Sequence, residues 1–128
     1  MRTHTSEGEV RWVETDASGR IHNTAPVRWA EAAEHALYAR DMPDLPATRL
    51  PRRQIAATYH RPLAFRDSYE VALTVESVGR TSVTYTWTVV SAGEICVEGS
   101  HVVIHVGNDG RPAPWPEQFR SVLTGPDT

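Results

Sequence analysis

The sequence of 128 residues contains no lysine, because all thirteen of its basic residues are arginine. This absence excludes an enzyme that forms a Schiff base through a lysine amine. It also excludes a nucleotide-binding P-loop, whose motif requires a lysine. The sixteen acidic residues bring the net charge to −3, which argues against a nucleic-acid-binding protein.

Cysteine is almost absent as well, and the single Cys96 cannot form an internal disulfide. Its place in the run EICVEG predicts a small buried side chain rather than a reactive thiol. No apolar run approaches the roughly 20 residues that a membrane-spanning helix needs, and the N-terminus MRTHTSEGE lacks the apolar stretch of a secretory signal. These absences predict a cytoplasmic protein. The length predicts one domain over residues 1–128, with a core over about 9–123.

One long helix is predicted over residues 24–40. Asn23 or Thr24 can cap its start, and Pro26 suits its first turn, where no backbone donor is needed. A stripe of small apolar side chains that suits close packing on a sheet is formed by Ala30, Ala33 and Leu37. A second face carries the polar or amphipathic residues Glu31, Glu34, His35 and Tyr38.

Strands account for most of the remaining sequence. Alternating or β-branched segments predict strands over residues 9–15, 53–60, 68–78, 81–90 and 94–106. A short helix is expected over residues 116–123, with loose tails over 1–7 and 124–128. The order predicts an α+β fold in which a curved antiparallel sheet wraps around the long helix. The other face of the sheet then needs a cover, for which a second subunit is the simplest candidate.

A family resemblance supports this fold. The segment WVETDASGRIHNTAPVRWAEAAEHAL resembles the opening of the hotdog-fold thioesterases of the 4-hydroxybenzoyl-CoA thioesterase-like family. The matching residues are Asp16, Gly19, His22, Asn23, Trp29 and Glu31. The stretch SVGRTSVTYTWTVVSAGEICVEGSHVVIHV is similar to the long hairpin of that family, and the resemblance covers residues 9–123.

The resemblance implies a hotdog domain that hydrolyses an acyl-CoA or acyl-carrier-protein thioester. It implies no cofactor beyond the coenzyme A or phosphopantetheine that the substrate carries. Family members pair into dimers with a continuous sheet and sites at the subunit interface, so we expect a homodimer or a dimer of dimers, that is, a homotetramer. We expect neither a nucleic acid nor a membrane as a partner.

Asp16 is the catalytic carboxylate that the resemblance implies. It precedes the helix, so its carboxylate would lie near the unpaired amides of the helix start, which can stabilise an oxyanion. The residue pattern alone favours a turn aspartate bonded to its own backbone, and only the resemblance favours the catalytic role. Glu31 is the competing carboxylate, because a related hotdog branch places its catalytic residue on the helix. The alternative for Glu31 is a solvated or ion-paired helix glutamate.

Four residues around Asp16 complete the predicted reaction site. Gly19 suits a backbone conformation that other residues resist. The resemblance assigns the oxyanion-binding amide to Asn23, and Thr24 follows it at the helix start. His22 is expected either to orient the thioester or to be a packing or surface histidine.

The resemblance also implies a coenzyme A contact in the turn GRTS. Arg80 matches a basic position that contacts phosphates in relatives, and a guanidinium suits a phosphate well. Thr81 and Ser82 follow it in the same turn. An exposed hairpin arginine without a ligand is the alternative.

Other chemistries are less well supported. His101 and His105 would lie about 13 Å apart along a strand, too far to share a metal ion, and no second pair accompanies Glu31 and His35. No metal site is therefore predicted, and the absence of G-x-S-x-G argues against a serine hydrolase. The alternative function is a non-hydrolytic acyl-thioester binder or a dehydratase-like hotdog protein. Asp16 favours the hydrolase, because hotdog dehydratases rely on a differently placed histidine.

Overall fold

The computed structural model describes residues 2–46 and 50–126, which form five strands, two helices and one short 3-10 turn over Trp12–Glu14. The strands are β1 (Thr3–Glu9), β2 (Arg52–Tyr59), β3 (Ser68–Val78), β4 (Ser82–Ser91) and β5 (Glu94–Ile104). The helices are α1 (Ala25–Asp41), of 17 residues, and α2 (Glu117–Thr124). The α+β class is confirmed, and the architecture is consistent with the hotdog fold.

The five strands form one antiparallel sheet in the order β1-β3-β4-β5-β2. β1 and β2 are therefore the edges of the sheet. Along β3, Ser68 pairs with Glu9 at the end of β1, whereas Val78 pairs with Val83 at the hairpin to β4. The segment that follows β1 and the turn between β3 and β4 thus lie at opposite ends of the sheet.

α1 lies against one face of this sheet and contacts all five strands. It packs on β1 and β3, and its side chains bond to Arg52 in β2, Tyr85 in β4 and His101 in β5. The predicted stripe of Ala30, Ala33 and Leu37 is fully buried, as its small side chains suggested. Burial of this stripe holds the start of α1 at a fixed place over the sheet.

The opposite face of the sheet is mainly polar in its central strands. Because Val83, Tyr85, Trp87 and Val89 of β4 point to the core, the alternate residues point outward. The outward side chains include Thr74, Thr84, Thr86, Thr88 and Ser100. Hydroxyl groups can face water, so the composition of this face does not itself require a covering subunit.

The prediction for the N-terminus was wrong. Residues 3–9 form β1 instead of a loose tail, and the strand predicted over residues 9–15 is replaced in part by the 3-10 turn. Glu14 closes this turn by accepting hydrogen bonds from the Arg11 amide at 2.9 Å and the Trp29 indole at 2.6 Å. A side chain that bonds to nearby backbone in this way competes with strand pairing.

The other predicted elements lie within two residues of their observed bounds. Glu34 and Tyr38, which the prediction placed on the second face of the helix, are both buried. Glu34 is four residues after Ala30, only about 40° further around the helix.

Cys96 is buried and forms no disulfide, as predicted. No helix in the described part of the chain has the length and apolar character needed to cross a membrane.

Candidate active site

Asp16 lies in an exposed turn that leads into α1. Its Oδ1 accepts hydrogen bonds from the Ser18 amide at 2.8 Å and the Ser18 hydroxyl at 2.5 Å. Gly19 has φ +80° and donates its amide to the Asp16 carbonyl, so its predicted conformational role is confirmed. Because Ser18 fixes Oδ1, the other oxygen Oδ2 has a defined direction, and it accepts no hydrogen bond from any described residue.

The charge of Asp16 follows from these contacts. The hydrogen bonds from the Ser18 hydroxyl and amide lower the pKa of the Asp16 carboxyl below its ordinary value, and the nearby charge of Arg20 acts in the same direction. The carboxyl is therefore ionised at neutral pH, the form that can attack a carbonyl or accept a proton from water.

Asp16 lies on the wall of an open cavity of about 510 Å³, here called the Asp16 groove. It is lined by Asp16, Ser18, Arg20, Ile21, His22, Asn23, Tyr59, His60, Arg61 and Pro62. The Tyr59 hydroxyl donates a hydrogen bond to the Asn23 carbonyl, which ties the entry of α1 to the end of β2. The Asp16 groove thus lies between the end of β2 and the segment before α1.

The amides at the start of α1 differ in availability. The Thr24 amide donates to His22 Nδ1 at 3.2 Å, and the Ala25 amide donates to the His22 carbonyl at 3.0 Å. The Thr24 hydroxyl also bonds to His22 Nδ1, at 2.8 Å, so Thr24 does not cap the helix with its side chain. Pro26 is in the first turn, as predicted, and has no amide hydrogen. The Asn23 amide donates to no described protein atom, so it remains available to a ligand.

Glu31 lies outside the Asp16 groove. It lines a second cavity of about 700 Å³, here called the Glu31 groove, which is bounded by the 11–15 segment, the first turns of α1 and Tyr69. His22 lines both cavities. Glu31 is half-exposed, and its Oε2 is 3.2 Å from Arg52 Nη2. The two candidate carboxylates therefore face different cavities, and Glu31 is ion-paired.

The predicted coenzyme A contacts lie far from Asp16 within one chain. Arg80, Thr81 and Ser82 are at the β3–β4 turn, which is separated from the Asp16 end of the sheet by the length of β3. Ten residue steps along a strand span about 33 Å. The Arg80 side chain is exposed, while its carbonyl accepts a hydrogen bond from the Trp115 amide in the segment before α2. One chain alone does not bring Arg80 to Asp16.

The sequence analysis missed a polar network beneath α1. The Glu34 carboxylate has no exposed surface and accepts hydrogen bonds from Arg52 at 2.7 Å, His101 at 2.7 Å and Tyr38 at 2.6 Å. The Tyr38 oxygen in turn lies 2.8 Å from the Tyr85 hydroxyl. The signal in the sequence was the position of Glu34 beside the alanine stripe on the helical wheel. Its partners are distant in sequence and give no local signal.

The described residues include no group of three or more His, Cys, Asp or Glu side chains that is placed to hold a metal ion. His101 is bonded to Glu34, and His105 Nδ1 donates to the Ala113 carbonyl at 2.9 Å. Both histidines of the strand pair that was considered as a metal site thus have protein partners.

Comparisons with known proteins bear on the family and the fold of the chain. Residues 10–123 match the sequence model of the thioesterase-like superfamily. A predicted thioesterase from Bacillus stearothermophilus is similar in structure, with a TM-score of 0.87 and 29% sequence identity over 95% of this chain and 94% of that chain. No curated protein matches the chain in sequence.

Two further solved structures are similar. A thioesterase from Thermus thermophilus, complexed with coenzyme A and Zn, has a TM-score of 0.88 and 26% identity, with 95% of this chain and 98% of that chain covered. A 1,4-dihydroxy-2-naphthoyl-CoA thioesterase from Synechocystis has a TM-score of 0.86 at 14% identity, with 95% and 96% covered. At that identity the second likeness concerns the fold alone.

Proposed function

Because the chain belongs to the thioesterase-like superfamily of hotdog proteins, we propose that it hydrolyses an acyl-CoA thioester to a carboxylic acid and free coenzyme A. Asp16 is the proposed catalytic carboxylate. One observation carries the proposal: the ionised carboxylate of Asp16 and the available amide of Asn23 belong to residues that line the same cavity of about 510 Å³. An acyl-carrier-protein thioester presents the same reacting group and is the second substrate class.

The proposed reaction adds water across the carbon–sulfur bond. Oδ2 of Asp16 accepts a proton from water as the water oxygen bonds to the carbonyl carbon, and the sulfur leaves with the bonding electron pair and is then protonated. Alternatively, Oδ2 attacks the carbonyl carbon itself and the resulting anhydride is hydrolysed. In both routes the Asn23 amide donates to the oxygen that becomes negative.

His22 has a proposed role in the same step. A backbone amide can only donate, so His22 Nδ1 accepts from the Thr24 amide, and the neutral ring carries its proton on Nε2. An Nε2–H group that lines the Asp16 groove can donate to the thioester oxygen and orient it. The Thr24 contribution is then indirect, because its amide and hydroxyl hold the His22 ring.

Coenzyme A is the proposed carrier of the acyl group. The Thermus thermophilus relative is complexed with coenzyme A, which supports a substrate of this type. Arg20 lines the Asp16 groove, is exposed and forms no ion pair with a described residue. A free guanidinium at this place suits a phosphate of the carrier.

A homo-oligomer, either a dimer or a dimer of dimers, is proposed to complete the site. β2 is an edge strand whose Ile55 and Tyr59 are 48% and 46% exposed. Antiparallel pairing of two copies of β2 would lay the Arg52 end of one copy beside the Tyr59 end of the other. The partner's end of the sheet that carries Arg80 would then approach the Asp16 groove.

The first test is the substitution Asp16→Asn, measured by thiol release across a series of acyl-CoA substrates. We expect kcat to fall by about 100-fold or more, because the amide cannot act as a base or nucleophile. Asp109→Asn is the matched control, since Asp109 also accepts an amide hydrogen bond in an exposed turn, from Arg111 at 3.0 Å. We expect Asp109→Asn to keep wild-type kcat.

Two results would contradict the proposal. Retention of more than about a tenth of wild-type turnover by Asp16→Asn removes this residue from the mechanism. The absence of thiol release by the wild-type protein, with every acyl chain on coenzyme A and on a carrier protein, favours a non-hydrolytic or dehydratase-like function instead.

A further inference from the structure

The buried carboxylate of Glu34 is an unusual feature of the core. A charged group without exposed surface is stable only when its partners replace the water that it has lost. Burial alone raises the pKa of Glu34, but the hydrogen bonds from His101 and Tyr38 and the charge of Arg52 outweigh that effect and leave the pKa below its ordinary value. Glu34 is therefore a fixed negative charge in the core.

Arg52 connects this charge to the surface. Its Nη2 atom is 2.7 Å from Glu34 Oε1 and 3.2 Å from Glu31 Oε2. The side chain of Arg52 is 18% exposed, that of Glu34 is 0% exposed and that of Glu31 is 50% exposed. One guanidinium nitrogen thus joins a fully buried carboxylate to one that borders the Glu31 groove.

We propose that Arg52 is a positioning residue for thioester hydrolysis, which acts by holding the Glu31 carboxylate at a fixed place in the wall of the Glu31 groove. Glu34 holds Arg52 from below, and His101 and Tyr38 hold Glu34. An exposed ion pair alone would hold Glu31 weakly, because side-chain entropy and solvent oppose it. The buried end of the bridge removes most of that freedom from Arg52.

Glu31 can influence the reaction because its cavity shares a wall with the Asp16 groove, and this inference rests on the proposed function. Glu31 and His22 both line the Glu31 groove, and His22 also lines the Asp16 groove. A negative charge held at one place there can orient a bound acyl group or water next to the reacting carbonyl. The same charge on a mobile side chain would not favour one orientation, so Arg52 affects the rate through Glu31.

The test is a double-mutant cycle on thiol release. We expect Arg52→Met to lower kcat about tenfold while KM changes less than about twofold, because only the placement of Glu31 is lost. Arg52→Lys should restore most of the rate, since an ammonium can still bond to both carboxylates. In a Glu31→Gln background, Arg52→Met should cause no further loss of kcat.

Several controls make this cycle decisive. Arg111→Met removes the same charge from an exposed residue outside β2, which forms no ion pair with any described residue, and should keep wild-type kcat. The proposal would be overturned if the losses from Arg52→Met and Glu31→Gln multiply in the double variant, or if Arg111→Met causes an equal loss. If Arg52→Met does not fold, Glu31→Gln and Arg52→Lys carry the test, and full kcat in Glu31→Gln overturns it.

A measurement without substrate separates this proposal from the proposed function. The order of the Glu31 side chain can be followed by carboxyl ¹³C relaxation in the wild type and in Arg52→Lys and Arg52→Met. If the Glu31 side chain is equally mobile in the wild type and in both variants, Arg52 does not position Glu31, whatever the activity of these proteins. If the Glu31 side chain is ordered only in proteins with a cation at position 52, Arg52 does position Glu31. If such a protein also releases no thiol, the thioesterase proposal is refuted separately.

Discussion

At the scale of single residues, the two oxygens of the Asp16 carboxylate have different surroundings. Oδ1 bonds to the backbone of its own turn, through the Ser18 amide. That bond uses Oδ1 and leaves Oδ2 without a protein donor among the described residues. The turn therefore orients the oxygen that the proposed reaction needs and keeps the group ionised.

The pH dependence of the reaction should report this turn. The Ser18 hydroxyl is the largest cause that lowers the pKa of Asp16. Ser18→Ala should therefore raise the pKa of Asp16, and the acid limb of the kcat/KM profile should move to higher pH, because the carboxylate would be lost sooner as the pH falls. Ser121→Ala, which removes a hydroxyl that bonds to Glu117 in α2, is the control and should leave the limb in place. An acid limb that does not move in Ser18→Ala would show that Asp16 does not set it.

The D-x-x-G pattern was sufficient to locate Asp16 and Gly19, because both belong to one short turn. It could not predict that His22 would occupy the Thr24 and Ala25 amides. The Thr24 contact depends on the ring orientation of His22 and the Ala25 contact on the backbone of the turn, and the sequence determines neither. The network around Glu34 was missed for a similar reason, because Arg52 and His101 come from strands far along the chain.

At the scale of elements, the predictions located every helix and strand except β1. α1, β3 and β4 each have one buried face, and their bounds were predicted within one residue. β2 contains no fully buried residue, yet its bounds were also predicted within one residue. β1 is an edge strand of sequence THTSEGE, in which no residue is fully buried. Without an apolar face it gives no alternation, so only its pairing with β3 defines it as a strand.

The turn before α1 allows stability and activity to be separated. Gly19 and Gly110 have φ of +80° and +77°, and an added Cβ would meet no atom within 4 Å at either position. Gly19→Ala and Gly110→Ala should therefore each lower the free energy of unfolding by about 1–2 kcal/mol, from backbone strain alone. Only Gly19→Ala should also lower kcat, because its turn holds Asp16.

Chemical denaturation and thiol release on the same two variants check this expectation. Equal losses of kcat in both would mean that activity follows general stability. Unchanged kcat in Gly19→Ala would mean that the turn tolerates strain without moving the carboxylate.

At the scale of the whole molecule, the length of the sheet separates the two predicted halves of the substrate site. Asp16 and Arg80 lie at opposite ends of β3, about 33 Å apart along the strand. The resemblance placed both residues in one site, and sequence spacing gave no measure of this distance. If both contact one substrate, they must come from different subunits.

Hybrid oligomers can test this division. A dimer of one Asp16→Asn chain and one Arg80→Ala chain would contain one intact site, built from Asp16 of the second chain and Arg80 of the first. We expect such hybrids, purified through two different affinity tags, to show the wild-type KM with about half of the wild-type kcat per dimer. The Arg80→Ala homodimer should show a raised KM. A hybrid that shows only this raised KM would place Arg80 and Asp16 in sites of the same chain, or remove Arg80 from the site.

The exposed side chain of Trp12 gives the protein a natural optical probe. It is 67% exposed and packs edge-on against Phe65, whereas Trp29, Trp87 and Trp115 are each no more than 5% exposed. A soluble quencher such as iodide should therefore reach the fluorescence of Trp12 before that of the other three indoles. Because Trp12 adjoins the segment that borders the Glu31 groove, the quenched fraction of the emission offers a label-free way to follow what reaches that segment.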